Sequence, residues 1–139
     1  MISLDQARKI IAVTREKGRA MALKPLSVCV LDAGGHVLAF EREDGASPGR
    51  YEIAHAKAYG AVMLGMPGSA QLVRAEAQAF FMAAVNGAFG GKVVPVPGGV
   101  LVMQDGAVIG AVGVTGDTSD NDAAAGVAGI EAAGFTALA

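Results

Sequence analysis

Residues 27–42 read SVCVLDAGGHVLAFER. Ser27 to Asp32 is a short β-branched run of the kind that packs as a buried strand, and His36 to Arg42 is the strand that returns beside it. Ala33-Gly34-Gly35 between them supplies turn conformations that glycine reaches without steric cost. Strands joined this tightly pair antiparallel, because a parallel partner needs a long crossover. A second such unit lies downstream. Gly99 to Gln104 (GVLVMQ) and Ala107 to Thr115 (AVIGAVGVT) are strands joined at Asp105-Gly106, a strong hairpin signal. Gly110 and Gly113 lie in the second strand of that unit and predict a bulge or the close approach of another element.

Helical patterns surround the hairpins. Ser3 to about Leu23 carries an apolar stripe of Leu4, Ala7, Ile10, Ile11, Thr14 and Met21 near the helical period, with Ser3 and Gln6 spaced as a capping box. Lys24-Pro25 ends it, since a residue before proline avoids the α region. Glu43 to Gly49 reads as a loop. Ser47-Pro48 then looks like a helix cap and first turn, and the helix runs to about Leu64, where Met66-Pro67-Gly68 breaks the pattern. Ser69 to about Val85 is expected as a third helix. Gly87 to Gly99 is loop-rich, with one short extended piece at Lys92 to Val96. The polar run Gly116 to Asp122 leads to a last helix, roughly Asn121 to Ala133, ended by Gly134. Two hairpins separated and flanked by helices predict an α+β fold: a mainly antiparallel sheet with helices packed on it, formed as one domain over residues 1–139.

Composition narrows the function. Hydrophobic residues make up 53% of the chain and charged residues 17%, which leaves more apolar surface than a small monomer needs to bury and predicts a homo-oligomer. The net charge is −2 and the basic residues are scattered, so no basic face is available to a nucleic acid. The apolar stretch Val93 to Val114 is interrupted by Pro95, Pro97, Gln104 and Asp105 and does not suit a membrane span. Met1 opens a polar, helix-like segment rather than an export signal, so a cytoplasmic protein is expected. Cys29 stands alone, which excludes an intrachain disulfide, and its place in a buried strand marks an inert core thiol.

The candidate chemistry rests on few residues. Arg42 and Asp44 sit at a strand end and in the loop after it, and Lys57 lies on the helix that this loop launches. Together they could grip a carboxylate, with Asp44 orienting the two bases, or they could form an ion pair that fixes the loop. Gly98-Gly99 could present backbone amides to an anion or ease entry to a strand. Asp117, Asp120 and Asp122 could hold a divalent cation or serve the start of the last helix. Of the two histidines, His55 lies on the helix close to Lys57 and suits metal ligation or proton transfer, whereas His36 follows a turn and should be exposed. No Walker lysine, nucleophile elbow, Ser-His-Asp set or zincin helix is present.

Several segments in order carry a family likeness: Val30-Leu31-Asp32-Ala33-Gly34-Gly35-His36-Val37, Arg42-Glu43-Asp44-Gly45-Ala46, Ala54-His55-Ala56-Lys57-Ala58, Pro97-Gly98-Gly99-Val100, Gly110 to Gly116 (GAVGVTG) and Asp120-Asn121-Asp122. In these the chain resembles the GlcG/HbpS-like family of haem-binding and haem-degrading domains, which also occurs as the C-terminal domain of PduO-type corrinoid adenosyltransferases. Glu43 departs from the pattern, an apolar residue such as Met being frequent there. The resemblance implies a five-stranded antiparallel sheet in an α-β-α sandwich of profilin-like shape, assembly into homo-oligomers, and haem or another tetrapyrrole as ligand. A site follows from it: Arg42, Asp44, Lys57, Gly98, Gly99, Asp120 and Asp122 around an anionic group. Three readings stand open on the sequence: a module that binds a carboxylate-bearing small molecule such as haem; an enzyme acting on a small organic acid, with Lys57 or His55 in proton transfer and Arg42 on the carboxylate; and an oligomeric scaffold.

Overall fold

A computed structural model describes all residues, 1–139. In chain order it has α1 (Leu4–Ala20), β1 (Ser27–Asp32), β2 (Val37–Arg42), α2 (Arg50–Leu64), α3 (Gly68–Ala77), α4 (Ala79–Ala88), β3 (Gly99–Gln104), β4 (Ala107–Thr115), α5 (Ser119–Ala132) and β5 (Thr136–Leu138). The strands form one five-stranded sheet of order β2-β1-β4-β3-β5, antiparallel at every pairing. Both expected hairpins are present, and they meet where β1 lies beside β4, with Ser27 opposite Thr115 and Leu31 opposite Ala111.

The pleat sorts side chains between two layers. Val28 and Val30 of β1 and Val112 and Val114 of β4 pack against Ile10 and Ile11 of α1 and Ala125 and Ile130 of α5. Cys29, Leu31, Leu101 and Ala111 point the other way, onto Ala54, Ala58 and Ala61 of α2. The result is an α-β-α sandwich. Each large aliphatic side chain so buried contributes about 1.5–3 kcal/mol. The α2 layer lies close to the sheet because glycine leaves it room: a Cβ on Gly113 would collide with the Ala54 carbonyl, and one on Gly99 with the Lys57 carbonyl. Opposite the other hairpin strand, the pairing slips by one residue at Ile109, between Val102–Gly110 and Met103–Val108, which is a β-bulge.

Five details depart from the sequence expectations. The capping box of Ser3 and Gln6 forms, but α1 ends at Ala20, where Met21 caps it. Ser47 does not cap α2, which starts at Arg50 after Gly49; the Ser47 hydroxyl accepts a hydrogen bond from Arg50 Nε at 3.1 Å instead. The third helix is two, broken at Gln78, where φ is −141° and ψ is 64°. Lys92 to Val96 forms no strand, while β5, not foreseen, adds itself to the edge of β3 with Leu138 opposite Leu101.

Candidate functional site

Lys57 is the best-defined ionisable group in the structure. It stands on the face of α2 that meets the sheet, and its side chain crosses the end of β4 to reach α5. Its Nζ donates to the Val114 carbonyl at 3.0 Å and to Asp122 Oδ2 at 3.2 Å. The pair is sealed, the Lys57 side chain 4% and the Asp122 side chain 1% exposed. Burial pulls the Lys57 pKa down and pushes that of Asp122 up, and their mutual attraction works against both shifts. The other Asp122 oxygen accepts the Asp117 amide at 2.9 Å. Gly98, with φ +112°, lies against this knot: a Cβ there would sit 2.9 Å from Lys57 Nζ. Gly98 and Gly99, together with Asp120, line a cavity of about 170 Å³ to which neither member of the pair contributes.

Four of the expected site residues are thus brought together, Lys57, Gly98, Gly99 and Asp122, with Asp120 beside them. Arg42 and Asp44 are not. Arg42 is exposed at the end of β2, opposite Ser27. Asp44 lines a separate cleft of about 270 Å³ with Arg15, Arg19 and Pro25. No cavity is lined by Arg42 or Asp44 together with Lys57. The cause is Glu43, which ties the loop to α1. Its Oε1 accepts the Leu26 amide at 2.7 Å, and its Oε2 pairs with Arg15 and Arg19, each at 3.3 Å. Nor do Asp117, Asp120 and Asp122 converge on a cation position. Thr118 caps α5 through the Asn121 amide, and Asp117 accepts hydrogen bonds from the Lys24 amide and the Asn121 side chain.

His55 faces a different opening. Tyr51, His55 and Tyr59 recur every fourth residue along α2 and form a row: His55 lies 5.8 Å from Tyr51, tilted by 41°, and 5.5 Å from Tyr59, stacked at 21°, ring centre to ring centre. Phe40 closes the row at one end, at 4.9 Å from Tyr51, and Phe89 at the other, at 6.1 Å from Tyr59. Lys92 lies over the Tyr59 ring at 4.9 Å. A cleft of about 390 Å³ opens beside the row, lined by Tyr51, Glu52, His55, Gly90, Gly91 and Lys92. Half-burial, aided by the Lys92 charge, lowers the His55 pKa, so the imidazole is neutral at pH 7 and keeps a nitrogen lone pair for a ligand. The remaining candidates are quieter. His36 is exposed and bonded to Asp32 at 3.2 Å, and burial pushes the Cys29 thiol up to about 12.

Residues 2–131 match the family model described as haem degrading protein HbpS-like. The chain belongs to the HbpS-like family. It is 33% identical over 119 residues to protein GlcG of Escherichia coli strain K12, covering 83% of this chain and 81% of that protein. Among solved structures, a PduOC:haem complex superposes with a TM-score of 0.85 at 23% identity, covering 96% of this chain and 95% of the other. A double mutant of HbpS from Streptomyces reticuli gives 0.78 at 29% identity, covering 93% and 84%. Within this HbpS-like chain, sequence reasoning singled out His55 but missed its setting. The four-residue spacing of Tyr51, His55 and Tyr59 was the available signal. Nothing local indicated Lys92 or Phe89, which a loop brings over the same helix face.

Proposed function

We propose that the chain is a small-molecule-binding protein whose ligand is haem or a related tetrapyrrole, held on the outer face of α2 at His55. One observation carries the reading: a neutral, half-buried imidazole set between two tyrosine rings at the wall of an open cleft. The donor set fits such a group. His55 would hold it through a neutral imidazole nitrogen, Tyr51 and Tyr59 would offer flat apolar faces, and Lys92 would offer a cation for a carboxylate of the ligand. Bound haem would supply a redox-active, Lewis-acidic iron. The chain's own part is to hold the imidazole at a fixed angle by ring stacking and to keep it unprotonated by burial. The family model and the PduOC:haem neighbour support the ligand class. Lys57 is left out of this site, because its ammonium is sealed against Asp122.

The test is titration with haemin followed by the Soret band. Wild type should saturate at one equivalent. His55→Ala should abolish the ligation spectrum, and Lys92→Ala should weaken binding about tenfold, the worth of one charge-assisted contact. Because the His55 pKa lies below its usual 6.5, affinity should hold steady near neutrality and fall as protons compete below pH 6.5. A His55→Ala variant that gives the wild-type spectrum moves the site elsewhere.

We also propose that the protein is a homo-oligomer joined through α4. This helix, AFFMAAVNGA, has no charged residue on any face, buries only Met82, and among the helices and strands meets α3 alone. Phe80 is 77% and Val73 of α3 is 66% exposed. A continuous apolar surface of this kind, on the order of several hundred Å², marks an interface more often than a free face. Ala79, Ala83 and Gly87 recur at four-residue spacing and would let the same helix of a second copy approach closely.

A further inference from the structure

Every arginine or lysine that the fold encloses has an obvious anionic or aromatic partner, with one exception. Lys57 has Asp122, Arg15 and Arg19 have Glu43, and Arg74 stacks on Phe81. Arg50, half-buried at the start of α2, has none. Its Nε donates to the Ser47 hydroxyl at 3.1 Å and its Nη1 to the Thr115 hydroxyl at 2.8 Å. Both acceptors are neutral, and most of the N–H groups of the guanidinium fork remain without an acceptor.

The surroundings extend the point. Arg50 lines a cleft of about 240 Å³ with Lys24, Ser47, Gly45 and Gly116. Lys24 takes part in no ion pair; its backbone amide donates to Asp117, and its charge acts on that carboxylate only from beyond pairing distance. No carboxylate lines the cleft. Of the acids adjacent in sequence to the lining residues, Asp117 has its oxygens bonded to the Lys24 amide and the Asn121 side chain, and Asp44 lines the separate cleft with Arg15 and Arg19. Gly45 and Gly116 hold φ of +84° and +152°, conformations that bring bare backbone to the cleft wall. Under Arg50, Thr115 stands opposite Ser27 in the β1–β4 register, and the fully buried Ser27 hydroxyl has no hydrogen-bond partner. The polar row on which Arg50 rests is therefore one bond short. Two cations facing one cleft without an acid repel each other, and an anion between them removes that cost.

We propose that this cleft is a binding site for a small oxyanion, a carboxylate or phosphate group, gripped by the guanidinium of Arg50 and the ammonium of Lys24. The planar fork of Arg50 suits two parallel hydrogen bonds to such a group, and Lys24 supplies a second, movable charge. The volume admits the anionic group with a short carbon chain but not a macrocycle. The site is independent of the His55 cleft and stands whether or not that cleft takes haem. It also differs from the grouping of Arg42 with Lys57 that the sequence suggested: the cation next to the loop that is free for a ligand is Arg50.

The experiment uses the intact protein with two probes, inorganic phosphate and succinate, at fixed ionic strength with chloride as the reference anion. Amide and Arg Nε resonances are followed in ¹H–¹⁵N spectra. The expected result is a saturable shift confined to Gly45, Ser47, Arg50 and Gly116, with at least one of the two probes. Arg50→Ala should weaken that binding about ten- to a hundredfold, and Arg50→Lys should restore only part of it. Because Arg50→Ala also removes the bond to Thr115, Lys24→Met is the second variant. The Lys24 side chain makes no hydrogen bond or ion pair within the chain, so a folded Lys24→Met protein should bind about tenfold more weakly. Shifts that do not saturate, that spread over the surface, or that survive both Arg50→Ala and Lys24→Met would overturn the proposal. Preference for phosphate or for succinate then tells which oxyanion the cleft accepts.

Discussion

Asp122 answers for two groups at once, taking the Lys57 ammonium on one oxygen and the Asp117 amide on the other. Asp122→Ala leaves a buried cation unpaired, which costs about 3–5 kcal/mol. In that variant Lys57 escapes by losing its proton, and burial already lowers its pKa. A lysine whose folded pKa is depressed binds fewer protons folded than unfolded, so stability rises with pH up to the unfolded value near 10.5. Urea unfolding of Asp122→Ala should accordingly recover stability between pH 7 and 10, while an Asp122→Leu, Lys57→Met double variant should show no such recovery. Asp117 gives a slope of the same sign in the acid range, but there it is the charged form that the fold favours. Hydrogen bonds from the Asn121 side chain and then the Lys24 amide hold its pKa at about 2, below the ordinary 3.8. The stability this brings is complete above pH 3.8 and is lost as pH falls toward 2. The gap between wild type and Asp117→Asn should close over that window in acid unfolding curves. The residue types at both positions were legible in the sequence; their partners were not, since Lys57 and Asp122 are brought together from separate elements on opposite faces of the sheet.

The two hairpins were legible as elements because their turn chemistry is local. Asp32 accepts the Gly34 and His36 amides, and Asp105 takes a positive φ of 51° before Gly106. Elements fixed by distant contacts were not legible. The break between α3 and α4 falls at Gln78, inside a run of good helix formers with no proline or glycine, and no residue there marks it. β5 is a short strand whose existence depends on the free edge of β3. Lys92 to Val96 reads as extended but has no strand beside it, and Pro95 lacks the donor a ladder requires. Gly113, flagged as a point of close approach, proves to be where α2 rests on β4. Gly113→Ala would drive a methyl group into the Ala54 carbonyl, so it should destabilise the protein by about 1–3 kcal/mol or more and lower the melting temperature accordingly.

For the whole molecule, the test of the proposed assembly lies at α4, which carries no charged residue and exposes Phe80. Phe80→Glu should separate the assembly into monomers near 13.9 kDa without changing the far-ultraviolet circular dichroism, as judged by light scattering at micromolar concentration. If the wild type itself scatters as a monomer, α4 is a free face. The sheet order carries a further consequence. Each hairpin pairs neighbours in sequence, but the sheet is joined only where β1 meets β4, across residues 27–32 and 110–115. Closing so long a loop is entropically costly and is repaid only after the strands meet. The hairpins can therefore form early and independently, and the seam between them becomes the slow step of folding. Until it closes, each hairpin presents an unpaired edge, β1 on one and β4 on the other, and these are the surfaces through which two nascent chains would wrongly exchange strands. The Lys57–Asp122 pair bonds across the end of that seam and cannot form before it shuts. A chain that has swapped strands with a neighbour can still pair its backbone, but it must take this buried contact from the other molecule.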